Sequence, residues 1–384
     1  MSRNLSPRPR FLMVTDTAMV RKAGRVYAFG PVVRELEVFA GIFGEIVWIG
    51  FDRPDMEDDP ILMPVPDVVR CILLPRSGGD TAAAKLGVLR RTPHMLRHIV
   101  REVLRADVIH TRAPSSPAFL AILLSFFFKK SKIWWHKYAG NWGQERPPRF
   151  FGIQRAWLLK ARHSKVTING RWPGQPAHCL SFENPCLSKA ERAQSEVLIR
   201  AKSYEGPLNL CFVGRVDAAK GIPALIEALD RLSDAGRRRM ARLHIVGEGP
   251  LREALALAAR AWPFETTLHG ALSPEGVRRV MAQCHVQVLP SQAEGFPKVI
   301  AEGANYGCVP LVSDVSAISQ YIFHGQNGFL IQPGRLQAGG LHEDLEAVLQ
   351  RGDLFEIALE ASKMAGAFTF ARYGERIRRE ILTC

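Results

Sequence analysis

Two cations, Arg215 and Lys220, bracket a stretch that leaves an apolar, strand-like segment and enters a helical one: Phe212-Val213-Gly214-Arg215-Val216-Asp217-Ala218-Ala219-Lys220-Gly221. Gly214 lets the backbone turn tightly there. The helix start that follows offers free N–H groups and the positive end of a helix dipole. A guanidinium fork and an ammonium point charge at such a place form a site for a diphosphate. The same residues would also serve as an ordinary strand-to-helix turn with two surface cations, so this motif does not decide alone.

Two further stretches have the same strand, loop and helix form. In His244-Ile245-Val246-Gly247-Glu248-Gly249-Pro250 the glycines allow a backbone to come close to a ligand, although such turns also end strands for structural reasons. In Ser291-Gln292-Ala293-Glu294-Gly295-Phe296-Pro297-Lys298-Val299-Ile300-Ala301-Glu302-Gly303, Pro297 suits the first helical position. The loop ending in Gly295-Phe296 then points backbone N–H groups at whatever lies before it. Helical periodicity puts Val299, Ile300, Gly303 and Ala304 on a buried stripe and leaves Lys298 and Glu302 on the other side. Lys298 and Glu302 read as a surface i,i+4 ion pair, worth a few tenths of a kcal/mol. Alternatively, Glu294 and Glu302 are two carboxylates that accept charge-assisted hydrogen bonds from sugar and ribose hydroxyls.

These loops need elements to hold them. In the first half, apolar runs at 11–14, 46–49, 71–74, 108–109, 133–135 and 166–168 read as strands. Helical patterns at 32–39, 93–104 and 117–128 stand among them, and 15–25 reads as a polar loop. In the second half, strands at 208–213, 243–246, 267–268, 286–289, 309–312 and 329–331 alternate with helices at 221–235, 251–261, 274–284, 297–306 and 317–323. Short apolar strands alternating with helices predict parallel sheets with right-handed crossovers. Ligands of such sheets bind at the carboxyl ends of the strands. A chain of 384 residues exceeds one ordinary core. The expected fold is α/β, with two Rossmann-like doubly wound parallel-sheet domains facing across a cleft. Their expected bounds are 1–190 and 205–365, joined through the charged stretch 188–206, with a basic helical tail at 366–384.

Composition narrows the class. With 47% hydrophobic and 23% charged residues the chain is neither disordered nor fibrous. The seven cysteines stand singly at 71, 179, 186, 211, 284, 308 and 384 and read as small buried hydrophobes of a reducing, cytoplasmic protein. Residues 1–10 are basic and proline-containing without an apolar core, so no signal peptide is expected. The longest apolar run, 118–128, ends at Lys129-Lys130 and falls short of the roughly 20 residues that span a bilayer. It reads as a buried helix, with an interfacial membrane contact as the second reading. A formal charge of +14 favours anionic partners, and the basic residues come in short groups such as Arg90-Arg91 and Arg237-Arg238-Arg239 rather than a nucleic-acid-binding tail.

Taken in order, Gly-Arg…Lys-Gly, Val-Gly-x-Gly-Pro, His269-Gly270 and Glu294-Gly295-Phe296…Glu302 resemble the nucleotide-sugar-binding domain of the retaining family-4 glycosyltransferases of GT-B fold (glycosyl transferases group 1). The likeness is specific over about 208–329 and extends to the rest of the chain as fold only. It implies that Arg215 and Lys220 neutralise a donor diphosphate, that Glu302 holds the ribose hydroxyls and that Glu294 holds the sugar ring. Gly214 and Gly247 would line the same site, and the backbone of Gly295, Phe296, Pro297, Lys298 and Val299 would contact sugar and phosphates. The implied reaction moves a sugar from a nucleoside-diphosphate donor to an acceptor hydroxyl with retention, the leaving diphosphate helping to deprotonate the acceptor. Charge growing on that diphosphate makes Arg215 and Lys220 matter most.

His136, after the strand at 133–135, stands where the family places a histidine near the reaction centre, here followed by Lys137 instead of an acid. Where the family has adjacent glycines after the first strand, this chain has Gly24 alone, so Lys22, Gly24 and Arg25 are the expected acceptor-side contacts. Asn184-Pro185 resembles the turn before the interdomain crossing, and 368–373 the final aromatic helix that returns to the first domain. No cofactor or metal is expected, since no Asp-x-Asp pair occurs in a suitable place and Glu57-Asp58-Asp59 reads as a surface loop. The expected partners are a nucleotide-sugar donor, a glycan or lipid-linked acceptor and an anionic membrane surface on the inner face, with no nucleic acid. Surface-polysaccharide or lipid-linked glycan assembly is the context. A nucleotide-sugar epimerase or hydrolase of the same fold, and a non-catalytic two-domain sugar-binding protein, stay open beside it. A dehydrogenase lacks its Gly-x-Gly-x-x-Gly.

Overall fold

Runs of β-branched and aromatic residues, buried on both faces, build two largely parallel sheets in the computed structural model, which describes residues 8–76, 82–129 and 131–383. Residues 1–7, Lys130 and Cys384, singled out above, lie outside the described residues. The chain divides into one unit of Met1–Glu183 with Phe370–Cys384 and a second of Asn184–Thr369.

Unit 1 runs β1 Arg10–Lys22, β2 Arg25–Phe29, α1 Gly30–Ala40, β3 Glu45–Asp52, β4 Leu62–Pro64, β5 Val69–Pro75, α2 Ala82–Arg105 and β6 Val108–Ala113. It continues with α3 Ser116–Ser125, β7 Ile133–Tyr138, α4 Arg149–Lys160, β8 Lys165–Ile168 and β9 Cys179–Ser181. Its sheet has the order β4-β2-β1-β6-β7-β8-β9, with β3 also on β1 and β5 on β3; among the described residues only the two pairings of β2, with β1 and with β4, are antiparallel. Phe11, Leu12, Met13 and Val14 are each at most 1% exposed, as a central parallel strand covered on both faces requires. Phe11, Met13 and Trp135 pack with Leu36 and Phe39 of α1 on one face. Leu12, Val14 and Trp134 pack with Ile99 and Val103 of α2 and Ala121 of α3 on the other.

The expected loop at 15–25 is corrected. After an irregularity between Val14 and Ala18 the strand resumes, and it reaches Lys22 before turning through Ala23 (φ 48°) and Gly24 (φ 77°) into β2, with Lys22 opposite Arg25. Two central residues at positive φ match the twist of a tight hairpin. The polar threonines hid a β-forming run, Ala18-Met19-Val20, in which Met19 and Val20 are buried.

Unit 2 opens with α5 Lys189–Ala193 and α6 Ser195–Arg200, then alternates β10 Leu208–Val213, α7 Ile222–Asp230, α8 Asp234–Arg238, β11 Met240–Val246, α9 Arg252–Ala259 and β12 Glu265–Gly270. There follow α10 Pro274–Gln283, β13 Val286–Leu289, α11 Lys298–Asn305, β14 Val309–Ser313, β15 Phe329–Ile331 and the helices α12 Pro333–Gln337, α13 Leu341–Leu349 and α14 Leu354–Ala365. All six strands are parallel in the order β12-β11-β10-β13-β14-β15. The helix expected at 317–323 shrinks to one 3₁₀ turn, Ile318–Gln320, because Asn327 captures the next backbone groups through Phe323 N–H (2.7 Å) and Tyr321 C=O (2.9 Å).

The charged stretch 188–206 is no free connection either, which corrects the expected bounds of 190 and 205. Ser188 and Glu191 form a capping box, and Ser195 Oγ donates to Asn305 C=O at 2.6 Å while Arg192 reaches Asn305 and Ser362. These anchors tie it to unit 2 and put the crossing at Glu183-Asn184. The return crossing is at Thr369-Phe370, where α15 Phe370–Arg376 begins in unit 1. Cys186 and Leu187 N–H both donate to Phe368 C=O, at 2.8 and 3.2 Å, so the two ends of unit 2 meet. Among the described residues no helix is long and apolar enough to cross a membrane.

Candidate functional site

The chain lays β10, β11 and β12 outward in one direction and then starts again on the other side of β10 with β13, β14 and β15. The loops after β10 and β13 therefore diverge and leave a crevice at the carboxyl ends of the strands. The first holds Gly214 to Gly221 and the second Pro290 to Pro297. They touch through Gln292 N–H donating to Ala219 C=O at 2.9 Å. Gly221 sits at φ 80°, and a Cβ there would stand 1.9 Å from Pro290 oxygen. Only glycine lets the loops meet this closely.

The charges follow from that meeting. Lys220 Nζ donates to Glu294 Oε1 across the crevice, with side chains 28% and 9% exposed. Asp217 organises its own loop: one oxygen accepts from Lys220 N–H at 3.0 Å and the other from Arg215 Nε at 2.7 Å. The Arg215 side chain is 70% exposed. An ammonium carries three donors and a guanidinium five, so both cations keep capacity for an anion beyond their present partners.

The neighbouring loops close the edge. Gly214 N–H donates to Val246 C=O at 3.0 Å, and Gly247 N–H to Gly270 C=O at 2.8 Å. Gly247 has φ 136°, and a Cβ would lie 1.9 Å from Gly214 oxygen. His269 Nε2 and His244 Nδ1 share a proton position at 2.9 Å, and burial, then His269 itself, pushes His244 down to about 4. A neutral pair of rings therefore backs this edge at neutral pH.

On the β13 side, Phe296 is buried and stacks on Phe368 at 4.6 Å, while Ser316 Oγ holds Gly295 C=O at 2.8 Å. The Phe296 side chain thus anchors the loop and leaves its backbone to the crevice. Pro297 is the N-cap and not the first helical residue, so α11 starts one residue later. The N–H groups of Lys298 and Val299 fall among the first four of a helix, which have no intrahelical acceptor. Lys298 and Glu302 are half-buried, one turn apart. A cavity of about 370 Å³ opens beside the same loops, lined by Gly221, Pro223, Ser291, Gln292, Val315 and Leu336.

Unit 1 holds the other expected residues, and two expectations change. His136 is inside β7 and not after it, because the strand runs on to Tyr138. Its ring is 0% exposed, Nδ1 pairs with Thr111 Oγ1 at 2.9 Å, and burial, then His163 and His178, pushes it down to about 3. A neutral ring packed near Trp134 inside the unit has no open side for an acceptor. Lys22, Gly24 and Arg25 belong to the hairpin turn; Lys22 lies 3.4 Å from Asp58 and 4.0 Å from Glu57, and Arg25 3.4 Å from Asp67.

Sequence reasoning missed a buried charge cluster in the same unit. Glu35 of α1, 0% exposed, takes Arg112 of β6 at 2.7 Å and Lys137 of β7 at 3.4 Å. Burial works against the Arg112 cation, but Glu35 outweighs it and holds Arg112 charged. Asp16 stands at the irregularity of β1, its carboxyl raised by burial despite Arg112 nearby. Asp16 and Arg112 lie within β1 and β6, the strands between which unit 1 reverses its order. Reading the strands to their ends would have found them.

Comparison with known proteins places these findings. Residues 207–356 match the family model of glycosyl transferases group 1. An α-D-kanosaminyltransferase of Streptomyces kanamyceticus is 31% identical over 183 residues, 46% of this chain and 47% of that protein, so the chain spans about half the length of this curated relative. Among solved structures, a sucrose-phosphate synthase of Thermosynechococcus elongatus superposes with TM-score 0.69 at 17% identity, covering 97% of this chain and 98% of that one. The Anabaena protein HepE in complex with UDP and glucose does so with TM-score 0.66 at 15% identity, covering 97% and 99%. The fold is therefore the two-Rossmann-domain GT-B fold, and the match to glycosyl transferases group 1 falls on residues 207–356, within unit 2.

Proposed function

We propose that the protein is a retaining glycosyltransferase that moves a sugar from a nucleoside-diphosphate donor to an acceptor hydroxyl, in surface-polysaccharide or lipid-linked glycan assembly. One observation carries the reading: Lys220 and Glu294 meet where the strand order of unit 2 reverses, with Arg215 held on the same loop by Asp217 and glycines letting the loops approach closely. The match of 207–356 to a glycosyltransferase family and the UDP bound by a structural neighbour support it.

In this reading Arg215 and Lys220 take the diphosphate, with Gly214, Gly247 and the backbone of Gly295 to Val299 closing around it. As the glycosidic bond to the donor breaks, negative charge accumulates on the leaving diphosphate, and two cations fixed in advance stabilise it without reorganising. Lys220 then exchanges part of its bond to Glu294 for phosphate, and Glu294 turns to the sugar hydroxyls. Glu302 holds the ribose. No metal or cofactor enters the proposal. His136 is left out because its ring is enclosed. Lys22, Gly24 and Arg25 stay as the acceptor side, with less charge to offer than bare cations because carboxylates already face them. The acceptor is a glycan or lipid-linked molecule, met by the cytoplasmic protein at the inner face of an anionic membrane.

The test is incubation with UDP-, GDP- and ADP-sugars, with the anomeric configuration of the product read by NMR. Retained configuration in a transferred sugar supports the proposal. Inversion overturns the retaining part, and turnover of donor without any acceptor favours the epimerase or hydrolase reading.

A further inference from the structure

The positive charge of the chain is concentrated in one segment. Residues 82–162 hold sixteen Lys and Arg against three Asp and Glu, a surplus of thirteen where the whole chain has fourteen. Two of those acids are engaged within the unit: Glu102 is buried and bonded to Arg70 at 2.6 Å, and Asp107 accepts from Arg10 N–H at 2.9 Å. In the fold this segment supplies α2, α3 and α4, which lie side by side on one face of the unit 1 sheet with α3 in the middle. Arg90, Arg91, Arg97, Arg101 and Arg105 of α2 are all exposed, and among the described residues no carboxylate pairs with any of them.

The same layer turns apolar side chains outward. Of the twelve residues of α4 only Gln154 and Leu158 are buried, while Phe150, Phe151, Ile153 and Leu159 are exposed. Phe127, just past α3, is 80% exposed, and Leu104 of α2 is 56% exposed. Six of the eleven exposed large apolar side chains among the described residues thus fall in this layer. Along α2 an apolar groove of Pro93, Leu96, Val100 and Leu104 is edged by arginines. Exposed apolar area of this kind is stabilised only by an apolar cover. Polyanions would satisfy the arginines and leave Ile153, Leu104 and Phe127 in water. An anionic bilayer satisfies both, with charged headgroups over hydrocarbon, and aromatic side chains favour the boundary between them.

We propose that the outer face of α2, α3 and α4 docks on an anionic lipid bilayer, with the α2 arginines at the headgroups and Phe127, Phe150, Phe151 and Ile153 entering the interface. This rests on the membrane contact in the proposed function and is independent of the donor assignment. Each arginine near an anionic leaflet is worth about a fivefold gain in partitioning, so three are worth on the order of a hundredfold.

The experiment is co-sedimentation of the full chain with vesicles of phosphatidylcholine alone and of phosphatidylcholine with phosphatidylglycerol. Three proteins are compared: the wild type, the combined Arg97→Gln, Arg101→Gln, Arg105→Gln variant, and a combined Arg238→Gln, Arg260→Gln, Arg279→Gln variant that removes equal charge from unit 2. Binding of the wild type to the anionic vesicles only, weakened about a hundredfold in the α2 variant and far less in the unit 2 variant, supports the proposal. Equal weakening in both variants means adsorption by net charge and overturns the surface while keeping the membrane contact. No binding by the wild type overturns both and leaves the donor assignment, read by nucleotide binding, untouched. Self-association lost in Phe151→Gln, without vesicle binding, assigns the face to a second copy and also overturns it.

Discussion

Lys220 and Glu294 follow different strands, β10 and β13, and pair directly over the point where the sheet reverses its order. The ion pair has two consequences. It fixes the crevice before any ligand arrives, and it gives a nearly buried carboxylate a cationic partner at the crevice.

Removing one partner separates those consequences. Lys220→Ala is expected to lose the rise in melting temperature given by the matching nucleoside diphosphate, which at 100 times its dissociation constant amounts to about 2.7 kcal/mol. It also strands Glu294, at a cost of about 1–3 kcal/mol without ligand. Glu294→Gln is expected to keep the nucleotide-dependent rise and lose sugar transfer. Melting curves with UDP, GDP and ADP decide, and an undiminished rise in Lys220→Ala would remove the lysine from the diphosphate site.

Gly221→Ala and Gly247→Ala place a methyl group 1.9 Å from a backbone oxygen at positive φ, and each is expected to cost more than about 2 kcal/mol. Gly206→Ala, at φ 70° with nothing within 4 Å, is the control and is expected to cost about 1–2 kcal/mol. Urea midpoints measure all three. Equal costs would mean that the close approach of the loops is not what holds these glycines.

Glu35→Gln removes the carboxylate that pairs with both Arg112 and Lys137, at an expected cost of about 3–5 kcal/mol. Adding Lys137→Met to it is expected to restore part of the loss. If the single substitution is neutral in chemical denaturation, the cluster is solvated and does not staple α1 to β6 and β7.

His136 gives a pH dependence. Its folded value of about 3 lies below the ordinary 6.5, so the folded state prefers the neutral ring and unfolding takes up a proton. The stabilisation is complete above 6.5 and is lost as pH falls from 6.5 toward 3. The slope from this group approaches about 1.4 kcal/mol per pH unit. His136→Gln is expected to flatten the stability curve by that amount between pH 6 and 4, the slope from His244 and His285 remaining. An unchanged slope would mean that the ring is protonated in the fold.

The order of strands and helices in unit 2 was legible because most strands are short, mainly apolar runs and the loops after β10, β11 and β13 each carry a glycine with a cation or acid beside it. Arg215, Lys220 and Glu294 could be named from those loops, but their pairing could not: Glu294 is 74 residues from Lys220, and only the reversal of strand order brings the two loops together. His136 was misplaced because Lys137 and Tyr138 look like the start of a loop, whereas Glu35 neutralises the lysine and lets the strand continue. The hairpin at Lys22 and Arg25 was hidden by threonines that serve a strand as well as a loop. The tie of 188–206 to unit 2 depends on Asn305 and Ser362, far along the chain, which no local pattern reports.

The meeting of Cys186 and Leu187 with Phe368 makes unit 2 a cassette inserted into unit 1. Its entry and exit are side by side, so recombination between homologous chains can exchange the whole insert through two neighbouring cut points without rethreading either sheet. Donor preference, if it resides in that insert, can then be inherited separately from the surface that unit 1 presents to its surroundings.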